Sequence, residues 1–223
     1  MISAAPERPN YLDAIAHLPP GGTLIFQHVP WEDYEKLLAG LGPGYPSRIS
    51  YDHGRLEIAM PLPIHDRQKE FISHLLRVLT DELGRDCEAL GSTTFSYKDW
   101  LQGLEPDACF YVQHIERVLG VRRFDPSAPP SPPDIAVEID ITNESLGRFP
   151  TYANLGVPEI WRYDEHEVRI YHLSETGYVE AAASRAFPFL TGKVLFEALE
   201  RSITVGQSAA LREFRQWVKE QQH

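Results

Sequence analysis

Cysteine, basic charge and long apolar runs are all scarce in this 223-residue chain. Cys87 and Cys109 are its only cysteines, too few for a Cys-rich zinc site. The N-terminal stretch MISAAPERPNYLDAIAHLPP shows no basic start followed by an apolar segment, so no export signal is read there. The two thiols are therefore expected to be reduced and the compartment cytoplasmic. No apolar run approaches the roughly 18–20 residues that a membrane helix needs, and no membrane partner is expected. The net charge is −11 and the pI near 5.3, whereas proteins that neutralise phosphates usually carry a basic patch. Arg117, Arg122 and Arg123 form the one local basic cluster and read as a solvated helix end and loop. This acidity counts against tight, sequence-independent DNA binding. It leaves open an enzyme that meets phosphate through a metal ion. Also missing are internal repeats, a Gly-rich phosphate loop, a P-loop and a serine nucleophile elbow. His28, His53, His114 and His172 are too scattered to form a zinc set.

A hydrophobic content of 43% is enough for a real core, and the length favours one domain over residues 1–223. Residues 1–22 read as a Pro/Gly-punctuated arm. A helix is expected from Pro30 to Ala39, ended by Gly40, Gly42 and Gly44. Ser47–Tyr51 and Arg55–Met60 read as a hairpin about Asp52-His53-Gly54, with Leu56, Ile58 and Met60 on one face. Apolar residues recur at helical spacing from Asp66 to Leu83, with Gly84 at the end. Short strands are expected at Cys87–Leu90 and Thr93–Tyr97, a longer one at Glu105–Val112, then a short helix around His114–Leu119. The stretch Asp125–Pro133 reads as a stiff extended loop. After it come a strand at Asp134–Ile141, a turn into helix over Asn143–Leu155 ended by Gly156, and strands at Glu159–Asp164, Val168–Leu173 and Tyr178–Ala182. Helices around Phe196–Leu199 and Leu211–Val218 end the chain, within a helical region 196–223. The fold class is α/β (α+β): a mixed sheet flanked by helices.

The strand Asp134-Ile-Ala-Val-Glu-Ile-Asp-Ile141 carries the chemistry. Alternation puts Ile135, Val137, Ile139 and Ile141 on one face and Asp134, Ala136, Glu138 and Asp140 on the other. A half-exposed strand alternates in the same way, but this polar face is purely acidic. Two carboxylates about 4 Å apart repel by roughly 1 kcal/mol in water and about 4 kcal/mol at a partly buried site. Such a face must be solvated, partly protonated or neutralised by a cation. Mg²⁺ or Mn²⁺, which take oxygen ligands, fit that need. Glu105-Pro-Asp-Ala-Cys-Phe-Tyr-Val112 offers Asp107, which could approach Glu138 if the two strands pair. The Pro-Asp doublet occurs twice in the chain and says little alone; the strand context carries the weight.

Asp107 after a proline, followed by Glu138-Ile-Asp140 on the next long strand, resembles the PD-(D/E)XK nuclease superfamily. Residues from about 30 to 173 resemble the bacterial restriction-endonuclease-like family Uma-two. The matching stretches are Tyr51-Asp-His-Gly-Arg-Leu-Glu57, His65 before the long helix, Glu105-Pro-Asp107, Pro133-Asp-Ile-Ala-Val-Glu138 and Tyr152-Ala-Asn-Leu-Gly-Val-Pro-Glu-Ile-Trp161. The resemblance implies a restriction-endonuclease-like fold and makes Asp107 and Glu138 metal-binding carboxylates. Asp140 stands where the superfamily motif ends in lysine. Arg148 stands four residues before Tyr152, where family members often carry lysine. A lysine can help deprotonate water, whereas arginine stays charged and can only stabilise charge.

On this reading Asp107, Glu138 and the Ile139 carbonyl hold Mg²⁺ or Mn²⁺. Asp140 accepts a proton or binds a second ion, and Arg148 offsets growing negative charge. Glu57, His65 and Glu70 are candidates for the cleft edge, while Tyr152 and Trp161 are read as packing residues. The leading expectation is a metal-dependent DNA endonuclease, acting as a homodimer. The alternatives are a catalytically inactive binding or assembly module on the same fold and a metal-dependent hydrolase of another phosphoester.

Overall fold

In the computed structural model, residues 9–42, 45–122, 131–142 and 144–222 are described. Gly44, Arg123, Asn143 and all but the last three residues of the Asp125–Pro133 stretch lie outside them. The helices are α1 (Tyr11–Ala16), α2 (Trp31–Leu41), α3 (Pro63–Glu82), α4 (Phe149–Leu155), α5 (Gly192–Val205) and α6 (Gln207–Glu220). The strands are β1 (Thr23–Phe26), β2 (Arg48–Asp52), β3 (Arg55–Ala59), β4 (Glu88–Ala89), β5 (Phe95–Tyr97), β6 (Gln102–Leu104), β7 (Ala108–Tyr111), β8 (Ile135–Ile139), β9 (Glu159–Tyr163), β10 (Val168–Ser174) and β11 (Gly177–Ala181). They form two sheets, ordered β1-β3-β2-β6-β5 and β11-β10-β9-β8-β7-β4. The second is mixed: β8 runs parallel to β9 and antiparallel to β7. The expected mixed α/β class holds, with two sheets where one was foreseen.

Local chemistry explains the best-foreseen elements. The β2–β3 hairpin turns on His53 and Gly54, both at positive φ (45° and 92°), the backbone twist that a tight hairpin requires. Pro63 opens α3 because its missing N–H is no loss in a first helical turn. The His65 Nδ1 accepts the Leu62 N–H at 2.8 Å, so His65 caps α3. Along α3, Phe71, Ile72, Leu75, Leu76 and Leu79 are each no more than 1% exposed. They pack on Ala108, Phe110 and Val112 and on Ile135, Val137 and Ile139, the faces that alternation assigned.

The other face of these strands departs from the simplest expectation, a solvated acidic surface. All five residues of β8 are buried, because Tyr152 and Leu155 of α4, with Phe95, Tyr97 and Leu104, pack as a second apolar layer on the face that carries Ala136. Both cysteines are free and buried. Other differences are local. Strands β1 and β6 and helix α1, which lies within the supposed arm, were not foreseen, being only three to six residues long. Helices α5 and α6 are longer than the pattern implied, and residues 115–117 form only a single 3₁₀ turn. Asp107 precedes β7, and Asp134 and Asp140 flank β8. Among the described residues no helix is long and apolar enough to cross a membrane.

Close packing ties β6 to α2. A Cβ on Gly103 would lie 2.2 Å from the Tyr34 hydroxyl oxygen, and Tyr34 is fully buried. Gly103→Ala is therefore expected to destabilise the protein by about 1–3 kcal/mol through overpacking, read as a lowered thermal midpoint. A variant as stable as the wild type would contradict this contact.

Candidate functional site

Register brings the first two carboxylates together. Ala108 pairs with Val137 and Cys109 with Ala136, so continuing the antiparallel ladder sets Asp107 opposite Glu138. The Asp107 Oδ2 accepts the Ile139 N–H at 2.8 Å, which fixes the side chain across the strand end. Glu138 is 0% exposed and Asp107 only 6%. The Tyr152 hydroxyl, delivered by α4, donates to Glu138 Oε1. Its partner oxygen, Oε2, lies 3.2 Å from Arg148 Nη1. Among the described residues Oε2 accepts no hydrogen bond, and neither Arg148 Nε nor Arg48 Nε makes one. Arg48, on β2, places Nε 3.4 Å from Asp107 Oδ1 and reaches toward Asp66 at 3.8 Å.

Burial dominates the electrostatics here. It pushes the Glu138 carboxyl above its ordinary range, Arg148 pulls it back only in part, and Asp107 and Asp140 push the same way as burial. Burial works against the Arg148 charge, but Glu138, Tyr152, Asp107 and Glu57 together raise its pKa further.

The other two acids of the strand have structural partners. Asp140 Oδ2 accepts the Ser145 N–H at 2.8 Å and the Ser145 hydroxyl at 3.0 Å. It also meets Arg162 Nε at 2.6 Å, and both side chains are at most 5% exposed. Asp140 Oδ2 thus caps a turn and closes a buried ion pair, while Oδ1, buried and without a hydrogen bond among the described residues, is the oxygen left for the expected roles of metal ligand or proton acceptor. Asp134 Oδ2 accepts three successive N–H groups, from Val112, Gln113 and His114, at 2.8, 2.8 and 3.0 Å. Its Oδ1 meets His114 Nδ1 at 2.6 Å. Among the described residues no three His, Cys, Asp or Glu side chains gather where they could hold a metal ion.

A cavity of about 240 Å³, whose walls include Asp52, Arg55, Glu57, Glu144, Arg148 and Thr151, meets the pair only through Arg148. Glu57 therefore sits at the cleft, 2.7 Å from Arg55. Glu70, by contrast, is exposed on α3 and lines no part of that cavity. Arg148 ends a short 3₁₀ turn, Leu146–Arg148, that runs into α4, so the peptide that carries Arg148 also aims Tyr152.

A family model described as "Uma2: Putative restriction endonuclease" matches residues 31–206. The chain belongs to the Uma2 family. A solved structure supports the Uma2 fold: that of "a putative nuclease belonging to DUF820 from Anabaena variabilis ATCC 29413", with a TM-score of 0.51 and 18% identity. The similarity covers 77% of this chain and 99% of that one, and at this identity it speaks for the fold alone. No curated protein matches the chain.

Three residues of this Uma2 site escaped the sequence reading. Tyr152 was read as packing, which it does, but its hydroxyl also holds Glu138. Arg162 carries a faint signal, a basic residue within the strand Glu159–Tyr163. Arg48 carried none, because its meeting with Asp107 depends on how β2 approaches β7.

Two variants separate capping from ligation. Asp140→Ala removes the Nε partner of buried Arg162, which keeps Asp164 on Nη1 at 3.1 Å, so a loss of about 1.5–3 kcal/mol is expected, measured by denaturant unfolding. Asp134 has its pKa lowered: burial raises it, but His114 and the three amides outweigh that. A lowered pKa contributes stability that is present above the unfolded value and lost as pH falls through the folded one. The deficit in thermal midpoint of Asp134→Asn should therefore be full at neutral pH and shrink as pH drops below about 4. A deficit unchanged at low pH would refute the charged cap.

Proposed function

We propose that this Uma2 protein is a metal-dependent phosphodiesterase acting on DNA, with Asp107 and Glu138 as its carboxylate pair. The observation that carries the reading is their meeting where β7 begins and β8 ends, one arginine away from a polar cavity that Arg148 lines, with Glu138 Oε2 buried and, among the described residues, free of hydrogen bonds. Mg²⁺ is commonly held by one or two carboxylates, with substrate phosphates and waters supplying the rest, so a two-carboxylate donor set fits. Asp107 Oδ1 and Glu138 Oε2 are the oxygens turned away from the Ile139 amide and the Tyr152 hydroxyl. An ion bound there supplies Lewis acidity and lowers the pKa of a bound water.

The chain's own groups do the rest. The Ile139 amide and the Tyr152 hydroxyl hold the two carboxylates at fixed angles. Arg55 and Arg148 line the cavity and meet phosphate oxygens, stabilising charge as a guanidinium does without taking a proton. Glu57, a carboxylate on the cavity wall that acts on Arg148 electrostatically, can take a proton there. With a net charge of −11, affinity for DNA rests on few phosphate contacts.

A second reading has its own observation. Each of the three candidate carboxylates faces an arginine: Asp107 with Arg48, Glu138 with Arg148 and Asp140 with Arg162. A site neutralised from within suits a nuclease-fold module that binds without cutting. Incubation with single- and double-stranded DNA in Mn²⁺ or Mg²⁺ decides between them. The phosphodiesterase reading expects cleavage that chelator abolishes and that Asp107→Asn or Glu138→Gln lowers by about a hundredfold or more. Cleavage that survives in a doubly substituted Asp107→Ala, Glu138→Ala protein would overturn it, and DNA binding without cleavage would favour the module.

A further inference from the structure

We infer that the Arg148 guanidinium is a resident counter-cation of the Asp107–Glu138 pair, and that a divalent ion must displace it to bind. The inference rests on the proposed carboxylate site.

Three observations support it. First, the charge is matched before any ion arrives: Asp107 and Glu138 face Arg48 and Arg148. A divalent cation brought to Glu138 therefore meets a guanidinium about one ion-pair distance away, in surroundings that screen poorly because Glu138 is fully buried. Second, the contact is poorly made. An arginine at its best engages a carboxylate through two parallel N–H bonds. Here Nη1 approaches Oε2 at 3.2 Å, and among the described residues Arg148 Nε and Glu138 Oε2 both stay buried without a hydrogen bond. Glu138 keeps the Tyr152 hydroxyl on its other oxygen, so losing Arg148 does not leave the carboxylate unheld. Third, the guanidinium has somewhere to go. Arg148 lines the 240 Å³ cavity together with Glu57, Asp52 and Glu144, which can receive a displaced positive charge. Its side chain is already 17% exposed, against 0% for Glu138.

The pair therefore has two arrangements. In one, Arg148 neutralises Glu138. In the other, a divalent ion does so and Arg148 projects into the cavity. Because one charge excludes the other, removing the guanidinium must strengthen ion binding, whatever follows chemically.

Mn²⁺ titration by calorimetry tests this on the full-length protein without DNA. Arg148→Gln is expected to bind Mn²⁺ about tenfold tighter than the wild type, and adding Asp107→Asn to it should remove the gain. Equal affinities in the wild type and Arg148→Gln would overturn the inference. Should Arg148→Gln fail to fold, the wild type serves alone. Its Arg148 Nε–H signal, followed by ¹⁵N NMR through a Mg²⁺ titration, should shift in step with site occupancy. A Mg²⁺-saturated protein with an unmoved Arg148 signal would equally overturn it. The two proposals fail separately. A protein that never cuts DNA yet shows the Arg148-dependent Mn²⁺ step loses the phosphodiesterase reading and keeps this one. A protein that cuts DNA with equal affinities does the reverse.

Discussion

The arrangement depends on one costly act, the complete burial of the Glu138 carboxylate within a strand covered on both faces. A carboxylate in that position must be protonated, paired or hydrogen-bonded, and each neighbour answers that need. Tyr152 supplies a hydroxyl from α4, Arg148 a charge from the turn before it, and Asp107 presses from the adjoining strand end. Burial on both faces also forces the two-layer construction. Helix α3 covers the isoleucine–valine face, while Tyr152 and Leu155 cover the other.

Arginine recurs wherever this strand carries an acid near its C-terminal end. The two pairs differ in quality, and the difference separates structure from chemistry. Arg162 meets Asp140 closely at 2.6 Å while Ser145 fills the same oxygen, a buried network that stiffens a turn. Arg148 meets Glu138 loosely and leaves a donor and an acceptor without a hydrogen bond among the described residues, where the Asp140 pair leaves one acceptor, Oδ1. Buried polar atoms left unmatched in a folded protein call for an explanation, and here Arg148 lines a cavity in a member of a nuclease-like family.

Asp134, Glu138 and Asp140 look equivalent in the sequence, since alternation puts all three on one side. Their fates differ because a carboxylate's role is set by the donors that fold around it. Asp134 lies before β8, where three successive amides and His114 converge. Asp140 lies after β8, where Ser145 turns back. Only Glu138 lies within the strand opposite Asp107. His65 gives a similar lesson: that a histidine before a long helix caps it becomes visible only when the Leu62 amide meets its ring.

Sequence alone determined the periodic parts: helix α3, the β2–β3 hairpin, the alternating faces of β7 and β8, and the likeness to a nuclease family. These rest on spacings along the chain, where 3.6- and 2-residue periods sort side chains onto faces without reference to distant partners. Tertiary structure decided what the period leaves open. It covered the acidic face that could have been solvated, brought Arg48 from another sheet to Asp107, turned Tyr152 onto Glu138, and assigned a different arginine to each acid. Such contacts join residues far apart in the chain, and their outcome depends on desolvation and donor geometry that exist only once the layers have packed.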